Sequence, residues 1–181
     1  QSDSMPNLSV NVSGGNSDDT DGNGGFDISH GGTSPVTITA ELRGPYSNVN
    51  RFSGLGPDAN VAPSATPGVP AQITWNDTNS RQDERSTFWH ANHVHDFMKD
   101  LDSNFTELDY SMPSVIGRTD GFCPGNAWWD GVGMNYCEES AGADRANTGE
   151  LGNVIFHEFG HGVTQEVYLK HGSPEPVGDM H

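Results

Sequence analysis

His157-Glu158-Phe159-Gly160-His161 is the stretch on which the reading of this chain of 181 residues turns. It is an H-E-x-x-H pattern, and chance places one somewhere in a chain of this composition only about 2% of the time. Its surroundings predict a helix. Asn147 followed by Glu150 is a capping-box-like start, with Asn where Ser or Thr is usual. No Pro intervenes until Pro174, and Gly172 offers a stop, so the helix is expected over 148–171. At about 100° per residue, Leu151, Ile155, Phe159, Val163 and Val167 share one arc, the expected buried stripe. His157 and His161 fall opposite that arc, one above the other, with Glu158 beside them. Core histidines would sit on the stripe; these point away from it. Two neutral imidazoles at i and i+4 can bind one zinc ion, and the neighbouring carboxylate can reach its water.

Upstream, the pattern is β-like from Asp109 to Tyr136. Tyr110, Met112, Val115 and Ile116 lead into a Gly/Pro-rich stretch, then a strand over Asn126–Trp129, then Val132, Met134 and Tyr136 in alternation. Trp128 and Trp129 cannot both face the core of one strand, so one is left to line a groove. Cys123 and Cys137 bracket this hairpin. In an oxidising exterior they would close a disulfide worth roughly 3 kcal/mol. In a reducing compartment they would be two free thiols, and the acidic, Gly/Asn-rich composition favours the former.

Further upstream, 79–99 lacks Gly and Pro and carries Phe88, Ala91, Val94, Phe97 and Met98 as a helical stripe. Its His90, His93 and His95 spread around the axis, so they read as packing or surface residues. Residues 1–72 form a β-rich leading region, with Val36 to Leu42 apolar at every second position. Within it, Asp19-Thr20-Asp21-Gly22-Asn23-Gly24 resembles the opening of a calcium loop. His30 stands where the bidentate Glu belongs, so a polar turn is the better reading and Ca2+ the weaker one.

Composition narrows the function. Asp plus Glu number 25 against 8 Lys plus Arg, a formal charge of −17. That repels phosphate backbones and argues against nucleic acid as a partner. Hydrophobic residues make up 32%, and no apolar run reaches the roughly 18 residues of a membrane span. Gln1 opens a polar stretch, so no targeting segment is visible; a start without Met implies a removed leader or a fragment. A secreted or salt-adapted protein is expected.

Three elements follow one another in a telling order: a helix ending His95-Asp96-Phe97-Met98-Lys99, the strand Asn126-Ala127-Trp128-Trp129-Asp130-Gly131, and the helix bearing His157-Glu158-Phe159-Gly160-His161-Gly162. On these, the chain from Trp75 to His181 resembles the first half of the gluzincin zinc metallopeptidases, the thermolysin- and fungalysin-like enzymes. The resemblance implies an α+β fold. A β-rich leading region over 1–72, propeptide-derived or an incomplete domain, would precede the N-terminal part of a catalytic domain over 73–181. The latter would be the upper lobe of a zincin, a mixed sheet plus the H-E-x-x-H helix. The resemblance further implies a secreted, zinc-dependent endopeptidase. His157 and His161 would be the first two ligands of one catalytic zinc, and Glu158 the general base for a zinc-activated water. Asn126 and Ala127, with Trp128, would hold an extended peptide or protein substrate.

The chain departs from the family at its end. Gluzincins take a third ligand, a Glu, from a second helix about twenty residues past the second histidine. Here Gly178-Asp179-Met180-His181 is the last of the sequence. The expectation is a fragment, inactive by itself, that lacks the C-terminal lobe of the same polypeptide. Glu175, Asp179 and His181 are the in-chain alternatives; Glu166, on the buried side of the helix, is a poor one. Two readings compete with the peptidase. One is a non-catalytic peptide-binding or interaction module retaining a partial zinc site, and the other is a zinc hydrolase acting on a non-peptide amide.

Overall fold

The computed structural model describes residues 4–140, 142 and 145–172. In chain order its elements are strands β1 (Ser9–Val12), β2 (Ser17–Asp19), β3 (Val36–Glu41), β4 (Asn48–Arg51), β5 (Asn60–Val61) and β6 (Ser64–Ala65), helix α1 (Gln82–Leu101), strands β7 (Pro113–Arg118), β8 (Ala127–Trp129) and β9 (Met134–Cys137), and helix α2 (Gly152–Lys170). A short 3-10 turn, Thr148–Glu150, precedes α2. The fold is α+β.

The strands make two sheets. One is antiparallel, ordered β2-β1-β3-β5 with β6 also on β3, and the second is mixed, ordered β4-β7-β9-β8. Val10 and Ile38, Ala40 turn inward from the first sheet, as the alternation in β3 predicts. In the second sheet β4 lies parallel to β7, from Asn48 opposite Pro113 to Arg51 opposite Ile116. Parallel neighbours need a long crossover, and α1 lies within the one between them. Strand β4 thus comes from the leading 1–72 region by sequence and joins the second sheet by pairing. One buried cluster runs through both sheets and both helices, from Leu8 and Ile38 through Met112 and Ile116 to Phe88, Ile155 and Phe159. Each such large apolar side chain contributes about 1.5–3 kcal/mol by leaving water.

Two expected patterns differ in the structure. Strand β9 does not alternate: all four of its residues are buried. It is an inner strand between β7 and β8, and the Asn135 side chain is satisfied by Asp130 Oδ2 at 2.9 Å and by the Arg118 guanidinium at 2.6 Å. Val132 sits in the β8–β9 turn and is exposed. The first helix begins three residues later than expected because Asn76 and Asn79 close a polar turn in front of it, with Asn76 Oδ1 accepting from Thr78 N at 2.9 Å.

A buried ionic knot fastens α1 to what surrounds it. Glu84, in its first turn, accepts from Arg81 N at 2.7 Å and from both Nε and an Nη of Arg51 at 2.8 Å. Asp83 takes a two-pronged bond from Arg81, and Arg81 also reaches Glu138 at 2.6 Å. Acidic groups suit a helix N-terminus. The consequence for the Arg81 guanidinium is a pKa raised by its hydrogen bond to Asp83, against the opposing effect of burial.

Candidate metal and peptide cleft

The knot continues into the segment that launches α2. Asn147 Nδ2 donates to Asp83 Oδ2 at 2.7 Å, while its Oδ1 accepts from Gly149 N at 3.1 Å. Thr87 Oγ1 donates to Gly149 O at 3.1 Å. Asn147 therefore does cap a helical turn, but that turn is the 3-10 piece. Leu151 is extended, with φ −96° and ψ 103°, and separates it from α2, so the expected single helix over 148–171 is two pieces. Close approach to α1 accounts for the two glycines here. A Cβ on Gly152 would stand 2.5 Å from the His90 ring. Burial, and then the neighbouring His93, hold the His90 pKa below its usual value, which suits an imidazole packed beside the positive end of α2.

Along α2 the expected stripe is buried only in its middle. Ile155 and Phe159 are inaccessible, Val163 is half-buried, and Leu151 and Val167 are exposed at 38% and 39%. The helix meets α1, β8 and β9. On the other face His157 and His161 converge, their Nε2 atoms 3.0 Å apart and their rings edge to face. His157 is exposed and His161 half-buried, whereas Glu158 is 5% exposed.

All three line one open cleft of about 810 Å3, whose opposite wall is β8 and the loop before it. Asn126, Ala127 and Trp128 stand on that wall together with Trp129 and Phe122. The six residues singled out for metal, base and substrate roles thus share a single cleft. Among the described residues strand β8 is the last strand of its sheet, with one strand neighbour, β9. Cys123 and Cys137 are joined as a disulfide, which ties the loop carrying Phe122 and Asn126 to β9. Thr148 Oγ1 accepts from Cys137 N at 2.8 Å and donates to Asn126 O at 2.9 Å, joining loop, strand and helix start.

The Trp128 ring is gripped from two sides, by the Arg118 guanidinium 5.0 Å from its centroid and by the edge of Phe122. Trp129 faces the helix instead, so both indoles are half-buried and each has its own partner. Below Glu158 lies Tyr136, fully buried, its hydroxyl 3.0 Å from Met134 Sδ. Burial, and secondarily the Glu158 carboxylate, push that hydroxyl well above the ordinary tyrosine range.

As a metal centre the described set is partial. Two imidazoles sharing a tetrahedral zinc at ordinary Zn–N distances place their nitrogens about 3.3 Å apart, near the spacing found. Among the described residues no cluster of three or more His, Cys, Asp or Glu side chains is arranged to hold a metal. Glu175, Asp179 and His181 lie outside the described residues. Glu166 is half-buried on α2, next to Gln165. In the calcium-like stretch, Asp21 Oδ1 accepts from Asn23 N and Gly25 N, both at 2.8 Å, which makes a polar turn.

Sequence reasoning passed over Gln165, Thr148 and Tyr136. Gln165 was within reach of the same helical count, since it follows His161 by four residues and so shares its face. Thr148 and Tyr136 owe their places to contacts between elements. No family model matches this chain, and no curated protein matches it.

Proposed function

We propose that this chain forms the peptide-binding and metal-holding part of a secreted, zinc-dependent endopeptidase of the gluzincin kind. The observation that carries the reading is the convergence of the His157 and His161 Nε2 atoms to 3.0 Å in a cleft that also holds Glu158 and an open strand edge. His157 and His161 would hold the ion, with a third ligand supplied from outside the described residues. Bound zinc supplies Lewis acidity, which makes water a nucleophile near neutral pH and polarises a carbonyl. The chain's own residues do the rest. Strand β8 offers main-chain groups on its free side, and an extended peptide adds there as a further strand, whatever its sequence. Glu158 accepts the proton of the attacking water and returns it to the leaving amine. The disulfide suits an oxidising compartment.

Glu158→Ala in the full-length protein tests the catalytic part. It should retain zinc and lose peptide hydrolysis by at least about a hundredfold, the usual scale of a general base. A variant that still hydrolyses peptides at the parent rate refutes the assignment. The competing reading is a peptide-binding module with a partial zinc site. On that reading the parent binds peptide through β8 and hydrolyses none.

A further inference from the structure

We propose that Gln165 is a positioning residue that sets the peptide-binding strand at the height of the two imidazoles. The inference rests on the reading of the cleft as a peptide site and assigns part of its alignment to one side chain. Gln165 lines the cleft from α2, one turn beyond His161 and two beyond His157. Its Oε1 accepts from Trp129 Nε1 at 2.8 Å, and its Nε2 donates to Gly131 O at 3.2 Å. An indole N–H only donates and a backbone carbonyl only accepts, so these partners leave the amide one way to point.

The Trp129 ring lies against Gly162 on the same helix, where an added Cβ would meet Cη2 at 3.2 Å. Trp129 therefore reaches from the strand to α2 and is held there at both its ring and its nitrogen. Thr148 holds the start of the same strand through Asn126 O. With only three residues and one strand neighbour, β8 has little stiffness of its own. Its links to the helix segment set how far its free edge stands from His157 and His161. A peptide paired with that edge is placed by Gln165 as much as by the strand itself.

The test uses the full-length protein in a Glu158→Ala background, where peptide binds without being cut. Adding Gln165→Ala should raise the Kd of an extended peptide of about eight residues roughly tenfold, as two polar contacts are lost. Tryptophan emission should shift to the red as Trp129 is released, with zinc content unchanged. Gln165→Glu keeps the acceptor for Trp129 and loses the donor to Gly131, so its Kd should fall between. With Glu158 intact, the same changes should raise KM more than they lower kcat. An unchanged peptide Kd in Gln165→Ala overturns the proposal, even if its thermal midpoint falls, because Gln165 would then serve the fold alone. Should Gln165→Ala not fold, an unchanged Kd in Gln165→Glu overturns it equally. If the Glu158→Ala parent binds no peptide, the peptide-site reading itself fails and takes this proposal with it.

Discussion

Two imidazole nitrogens come within 3.0 Å of each other only when a proton or a cation lies between them, since two bare lone pairs repel. Here the spacing follows from residues four apart on one helix turning the same way. Beneath them Tyr136 makes a second residue-scale argument. In the unfolded chain its hydroxyl ionises near pH 10, whereas in the fold burial and the Glu158 charge keep it protonated to higher pH. Its contribution to stability is therefore full below pH 10 and is lost as pH rises toward the folded-state pKa. Tyr136→Phe should flatten the fall in stability above pH 10 in denaturant titrations at several pH values; an equally steep fall would show that Tyr136 is not its source. At this scale the sequence was informative where chemistry follows spacing along one helix, as with His157, Glu158 and His161. It was silent where a side chain's role depends on a distant strand. Tyr136 reads as one more apolar position, and only the packing of β9 beneath α2 brings it near Glu158.

Between elements, the cleft wall depends on how the loop before β8 is fastened. The Cys123–Cys137 disulfide and the Thr148 hydroxyl both join it to β9, and the hydroxyl also ties it to the 3-10 turn before the second helix. Replacing both cysteines by Ala should cost about 3 kcal/mol of stability, the usual value for a loop of this length. It should also weaken peptide binding at the cleft. Calorimetry with peptide titration checks both, and unchanged binding would mean that Thr148 alone holds the wall. The disulfide was legible because two cysteines bracket a short segment rich in turn residues. The parallel pairing of β4 with β7 was not. Some sixty residues separate them, and neither hydrophobic period nor turn chemistry carries information across a crossover of that length. For the same reason the break at Leu151 was missed. An uninterrupted helical pattern says nothing about Asn147 capping a separate turn ahead of it while Asp83 holds the Asn147 amide.

Over the whole molecule the formal charge is −17, against a single continuous core and no helix among the described residues long and apolar enough to cross a membrane. Self-repulsion on this scale destabilises the compact state at low ionic strength. Raising salt from about 10 to 150 mM shortens the screening length from about 30 to 8 Å, so the thermal midpoint should rise. A midpoint that stays level would show that ion pairs such as Arg51–Glu84 already offset the repulsion. That the chain holds both helix and strand was readable from the two periodicities, helical in the 79–99 stretch and alternating in 36–42. The sharing of one core by the leading region and the rest was not, because periodicity shows that a face is buried and leaves its partner unnamed. The central claim is that His157 and His161 hold zinc, and the most direct test is the zinc content of the purified full-length protein, parent against His157→Ala. The account predicts about one zinc per chain in the parent and almost none in the variant. Equal zinc in both, or none in the parent after loading, would contradict it.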